Sequence, residues 1–259
     1  MSKIIAVANQ KGGVGKTTTA LNLSACLAAV EKDTLLIDMD PQGNATSGLG
    51  LKNSANGRLS IYDGLISGVP LWQIVLRTEL KLLMIAPSDR NLIGAEIELA
   101  NQDNREKRLK HLIDAIKDQY QYVIIDCPPS LGILTLNALV AADSLLIPMQ
   151  CEYYALEGIS ELLNTIKRVQ RKMNSKLQIE GVLFTMYDER MNLTLQVVED
   201  VRWYFKEKVL KSIIPRNVRL GEAPSYGKPI ILYDIQSKGA QAYLALAKEI
   251  ISHEKKSLR

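Results

Sequence analysis

Cysteine and histidine are scarce in this chain of 259 residues: three of the first, Cys26, Cys127 and Cys151, and two of the second, His111 and His253. The cysteines form no C-x-x-C pair, which argues against a zinc or iron–sulfur framework and reads as reduced cytosolic thiols rather than disulfides. Both histidines fall on stretches that read as exposed helices. Cys127 therefore has no base to activate it and reads as a small buried residue, not a nucleophile. No apolar run is long enough to cross a bilayer, and the N-terminus enters an apolar strand with no signal-peptide pattern. Low-complexity segments, internal repeats and linker-like stretches are also missing, so residues 1–259 read as a single domain.

What is present is a large apolar fraction, 47%, enough for a sizeable core, and a net charge of +4 that is unevenly placed. Through Ser160 there are 14 basic and 17 acidic residues; from Glu161 onward there are 18 and 11. An acidic-leaning first part and a basic second part fit a polyanionic partner for the latter; ordinary solvated helix faces are the alternative.

Apolar runs alternate with helical periodicities along the whole chain. Strands are expected at Ile4–Asn9, Thr34–Asp38, Leu80–Ala86, Tyr122–Asp126, Ser144–Met149, Ile179–Thr185 and Ser212–Ile214. Helices are expected at Thr17–Val30, Ser60–Ile66, Leu71–Leu76, Arg105–Gln119, Leu131–Ala142, Leu156–Lys172, Leu193–Glu207 and Gly239–Ile250. Pro41–Gly57 and Arg216–Pro229, rich in turn formers, read as loops. Several strands are continuously apolar, which implies burial on both faces. The fold class is α/β, a doubly wound, mostly parallel sheet.

The first strand runs into Lys11-Gly12-Gly13-Val14-Gly15-Lys16-Thr17-Thr18 and then a helix. A glycine turn that opens a helix after a strand points backbone N–H groups at an anion, and glycine leaves room for phosphate oxygens. Lys16 is placed to reach β/γ-phosphates and the Thr17 hydroxyl to bind Mg²⁺. The usual G-x-x-x-x-G-K-[ST] spacing would put glycine at position 10, where Gln10 stands, and an extra lysine, Lys11, precedes the glycines.

Two acidic strand ends accompany this turn. Asp38-Met39-Asp40-Pro41-Gln42-Gly43-Asn44 follows the second strand, and its two carboxylates point in alternate directions. One suits the magnesium shell and the other the attacking water of a phosphoryl transfer; a plain turn is the alternative reading. Asp126 ends the apolar run Tyr122–Asp126, as suits a carboxylate holding a metal-bound water.

These motifs resemble the ParA/MinD family of ATPases, P-loop NTPases with a deviant Walker A motif, over essentially the whole chain. Lys11–Thr18, Asp38–Asn44, Asp126–Ser130 and Ile214–Pro229 carry the likeness, the last in the manner of the chromosomal ParA (Soj-type) branch. The resemblance implies an ATP site made of Lys11 to Thr18 with Pro215 and Asn217 on the adenine. It implies Mg²⁺ near Thr17, Asp38 and Asp126, and Asp40 orienting water. It further implies an ATP-dependent homodimer in which each Lys11 reaches the other subunit's nucleotide. Non-specific double-stranded DNA would lie on Arg190 and Arg219, whose planar forks suit phosphate. For each arginine a surface ion pair is the alternative, for instance Arg190 with Asp188 or Glu189. A ParB-type centromere-binding protein would stimulate an otherwise weak hydrolysis, and the protein would be cytoplasmic and nucleoid-associated.

The MinD branch offers a different reading, a membrane-positioning ATPase ending in an interfacial helix. Here the C-terminal residues 250–259 are charged, and the stripe of Tyr243, Leu244, Leu246, Ala247 and Ile250 reads as core-facing, so no membrane partner is expected.

Overall fold

The computed structural model describes residues 2–51, 58–152, 155–188, 190 and 192–257. Eight strands form one sheet: β1 (Lys3–Val7), β2 (Thr34–Asp38), β3 (Leu76–Arg77), β4 (Leu83–Ala86), β5 (Tyr122–Asp126), β6 (Ser144–Gln150), β7 (Gln178–Tyr187) and β8 (Val209–Pro215). Their spatial order is β3-β4-β2-β5-β1-β6-β7-β8. Every pairing is parallel except the short β3–β4 ladder. The expected mostly parallel sheet is therefore present.

The central strands are the continuously apolar ones. Every residue of β2 and β5 is buried. One face of the sheet is covered by α3 (Ile61–Ser67), α4 (Leu71–Ile74), α5 (Leu92–Glu98), α6 (Arg108–Asp114), α7 (Ile133–Ala141), α8 (Ala155–Lys172) and α9 (Asn192–Phe205). The other is covered by α1 (Lys16–Ala29), α2 (Asn44–Gly48), α10 (Val218–Glu222), α11 (Ile230–Tyr233) and α12 (Lys238–Ser257). Burying apolar surface on both faces is what a sheet of this connectivity requires. The stripe Tyr243, Leu246, Ala247 and Ile250 of α12 is buried in the second core, as expected. The end strand β8 is also covered in part: the Glu249 carboxylate of α12 accepts from the Lys211 and Ser212 N–H groups at 2.8 and 2.9 Å.

Some expectations fail. The stretch 41–57 is not all loop, because α2 occupies Asn44–Gly48; residues 52–57 lie outside the described ones. The helix expected over Arg105–Gln119 is three short pieces, a 3₁₀ turn at Arg105–Lys107, α6, and a second 3₁₀ turn at Lys117–Gln119. Its start is set by Asn104 in the left-handed region at φ 54°. The loop expected over Arg216–Pro229 contains α10 and a 3₁₀ turn at Ala223–Tyr226. Asn217 starts α10 by accepting the Leu220 N–H.

β1 lies between β5 and β6, where the winding of the sheet reverses, so the carboxyl ends of β1, β2 and β5 open on one crevice. Among the described residues, no helix is long and apolar enough to cross a membrane.

Candidate functional site

β1 delivers the chain into a turn whose conformation only glycine adopts easily. Gly13 and Gly15 have φ of +75° and +82°, and Gly15 caps the N-terminus of α1. The first N–H groups of α1 therefore open onto the turn with no intrahelical partner. The turn's carbonyls are engaged elsewhere. Lys16 Nζ donates to the Lys11 carbonyl at 3.0 Å, Gln150 Nε2 to that of Gly13 at 3.2 Å, and the Thr185 hydroxyl to that of Val14 at 2.8 Å. Asn9 steadies the entry, donating to the Pro148 carbonyl and accepting the Lys11 N–H.

A cleft of about 360 Å³ lies over this turn, lined by Gly12, Gly13, Gly15, Lys16, Thr17, Thr18, Asp40, Gln42, Asn44, Pro129 and Met186. A second cleft of about 350 Å³ adjoins it and shares Gly15, Thr18 and Met186. Pro215 and Asn217 line that second cleft, with Ile214, Arg216 and Tyr243. The first is polar and glycine-edged, as suits a polyphosphate; the second is mostly apolar, as suits a base. The residues of four separated stretches thus meet around one continuous space.

The carboxylates sit behind the turn. Asp126 is fully buried, and neither of its oxygens has a hydrogen-bond partner. The Thr17 hydroxyl stands close enough to favour its charged form without meeting hydrogen-bond geometry. Burial, then the Asp38 charge, raises the Asp126 pKa well above the carboxylate range. Asp38 is its neighbour in the β2–β5 register. Burial pushes Asp38 up to about 6, although it accepts from the Thr46 hydroxyl at 2.7 Å, the Thr46 N–H at 2.8 Å and the Asp40 N–H at 3.2 Å. Both Asp38 oxygens are thereby occupied, and Asp38 holds the start of α2. Asp40, pointing the other way, reaches the cleft and accepts the Gln42 N–H at 2.9 Å. Lys16 is 6% exposed, and burial lowers its pKa against the pull of Asp126.

Asp126 is a buried acceptor with nothing to accept from, and a hydrated divalent cation supplies what it lacks. Thr17 lies on the cleft beside it. No group of three His, Cys, Asp or Glu side chains able to hold a metal occurs among the described residues.

Cys127 is buried, and burial, then the Asp126 charge, raises its thiol pKa, so it is inert, as expected. Lys11 stands apart from the cleft-lining residues, its side chain 38% exposed and ion-paired with Glu152 of the same chain. Arg190 and Arg219 lie outside both clefts. The Arg190 guanidinium donates through Nε and Nη2 to the Asp188 carboxylate at 2.8 and 2.6 Å, holding that carboxyl down to about 2. Arg219 donates to Glu222 at 2.9 Å and faces Asp234 at 3.6 Å. Each arginine therefore makes a surface ion pair in this state; Glu189 lies outside the described residues.

Thr46, Gln150, Thr185 and Met186 were not legible as site residues. Gln150 ends β6 and Thr185 lies two residues before the end of β7, both on the crevice side, and that position is the signal that could have found them. Met186 adds a non-glycine backbone at φ 50°.

A family model described as an AAA domain matches residues 2–179. The chain is 58% identical over 253 residues to the sporulation initiation inhibitor protein Soj of Bacillus subtilis (strain 168), covering 98% of this chain and all of that one. It is 57% identical over 254 residues to the chromosome partitioning protein ParA of Myxococcus xanthus (strain DK1622), covering 98% and 89%. Among solved structures, cobyrinic acid a,c-diamide synthase from Mycobacterium smegmatis, with an ATP analogue and magnesium bound, superposes with a TM-score of 0.87 at 36% identity, over 99% of this chain and 97% of that one.

Proposed function

The chain belongs to the ParA/Soj family of chromosome-partitioning ATPases, with a P-loop NTPase fold and Mg-ATP as substrate, and from that premise we propose that ATP joins two copies into a dimer that holds double-stranded DNA without sequence preference. Hydrolysis, stimulated by a ParB-type centromere-binding protein, then separates the dimer and releases the DNA. The observation that carries this reading is a division of labour between two lysines. Lys16 is buried in its own phosphate cleft, whereas Lys11 stands on the outside, 38% exposed and held by a surface ion pair with Glu152 that it can exchange for another subunit's phosphates.

In this mechanism the N–H groups of Gly12 to Thr18 and the Lys16 ammonium receive the phosphates, and Pro215 and Asn217 flank the base. Thr17 would hold Mg²⁺, with Asp126 accepting from a metal-bound water and Asp38 adding negative charge behind it. The metal, when bound, neutralises charge on the β- and γ-phosphates. Asp40 accepts from the attacking water and orients it; its position on the cleft and its N–H bond from Gln42 keep the carboxylate aimed. Lys11 leaves Glu152 and crosses to the partner's phosphates. Dimerisation then brings two copies of Arg190 and Arg219 onto one surface, and phosphate contacts add.

DNA binding measured with ATP, with ADP and with no nucleotide, across a salt series, tests the proposal. Tight, salt-sensitive binding with ATP alone is expected. Equal binding in all three conditions would overturn it.

A further inference from the structure

An anion-binding turn works only if its carbonyls face away from the anion, because a carbonyl oxygen turned inward would repel phosphate. In this chain the outward carbonyls of Gly13 and Val14 are held by side chains from two other strands. Gln150 ends β6 and donates to Gly13 O at 3.2 Å; Thr185, near the end of β7, donates to Val14 O at 2.8 Å. Thr185 is 2% exposed and Val14 is 1% exposed, so water cannot replace that bond. The Thr185 Cβ and methyl also face Gly15, each 3.8 Å from where a Cβ on Gly15 would lie. Gly15 is the residue that starts α1.

β7 reaches further. Gln150 also donates to the sulfur of Met186 at 2.7 Å, and Met186 lines both clefts. The next carbonyl, that of Tyr187, accepts the Arg216 N–H at 3.1 Å and so ties down the strand end that carries Pro215 and Asn217. One strand end therefore touches the phosphate turn and the base loop together.

We infer that Thr185, assisted by Gln150, is a positioning residue for ATP: it holds the P-loop carbonyls outward so that the N–H groups are preset to receive phosphate. It touches neither the attacking water nor the metal, so its loss falls on binding. Thr185→Val keeps shape and removes the donor. Thr185→Ser keeps the donor.

The test measures Kd for Mg-ATP and Mg-ADP, kcat at saturating ATP, and thermal melting with and without nucleotide. For Thr185→Val, a Kd raised about tenfold for both nucleotides, as expected for an unsatisfied buried carbonyl, with kcat nearly unchanged, supports the inference. The melting temperature without nucleotide falls modestly, as a buried carbonyl left without its donor requires, and the nucleotide-induced rise shrinks as well. Thr185→Ser restores binding, and Gln150→Glu, which cannot donate to Gly13, weakens it. Parent-like Kd in Thr185→Val, or a fall in kcat with Kd intact, overturns the inference. Should Thr185→Val fold poorly, Thr185→Ser with parent Kd and Gln150→Glu with raised Kd still decide in its favour, and parent Kd in Gln150→Glu decides against it. Absence of ATP binding by the parent protein would instead sink the nucleotide site itself.

Discussion

Asp38 and Asp126 stand opposite one another in the parallel register of β2 and β5, both fully buried, yet only Asp38 has hydrogen-bond donors. Two buried carboxylates side by side, one of them unpartnered, are costly without a cation. On the proposed mechanism, stability is given up at the place where magnesium would bind.

The cost is measurable. Asp126→Asn removes the unpartnered buried acid, and the nucleotide-free protein at pH 7 gains roughly 1–3 kcal/mol, read as a higher melting temperature. The same variant loses magnesium-dependent ATP hydrolysis. The pH dependence has a definite sign. In the folded chain Asp38 keeps its proton to about 6 and burial raises Asp126 in the same direction, whereas the unfolded chain releases both near pH 4. The folded state therefore binds more protons between these limits, and stability falls as pH rises from about 4 through about 6. Asp126→Asn flattens that fall. A melting temperature lower than the parent's at pH 7 would contradict the assignment.

Asp40→Ala removes the group proposed to orient water but leaves the phosphate turn intact. A fall in kcat of about a hundredfold or more is expected, with ATP affinity within about threefold of the parent. The variant stays an ATP-bound, DNA-bound dimer. Turnover and equilibrium ATP binding, measured on one preparation, separate the two effects.

Arg190 and Arg219 are exposed, and their ion pairs with Asp188, Glu222 and Asp234 are surface pairs, so exchanging those partners for phosphate would cost little. Arg219→Glu is expected to keep the ATP dimer and lose DNA. Arg190→Ala weakens DNA binding evenly across sequences and lowers the log–log salt slope by about one per lost contact. Arg219→Glu that binds DNA normally at low salt would show the surface to be elsewhere.

The strands around the nucleotide were legible because burial on both faces leaves only apolar choices: Thr34–Asp38 and Tyr122–Asp126 have the expected bounds. The glycine turn was legible because left-handed backbone and close phosphate approach both demand glycine at Gly13 and Gly15. What stayed hidden depends on contacts distant in sequence. α2 forms in a run of turn residues because Asp38 reaches forward to the N–H and hydroxyl of Thr46. β3 has two residues and exists through its ladder with β4. Gln150 and Thr185 look like ordinary strand ends, since nothing local marks the carbonyls they meet 137 and 171 residues away. The ion pairs of Arg190 and Arg219 were among the readings open from sequence.

The central claim is that triphosphate joins two copies through lysines exchanged between them. Molar mass in solution, measured by light scattering with magnesium and a non-hydrolysable ATP analogue, tests it most directly for the parent and for Lys11→Ala. A doubled mass for the parent with the analogue, monomer with ADP, and monomer for Lys11→Ala under both conditions is expected. A parent protein that remains monomeric with the analogue, at concentrations well above its nucleotide Kd, would contradict the claim.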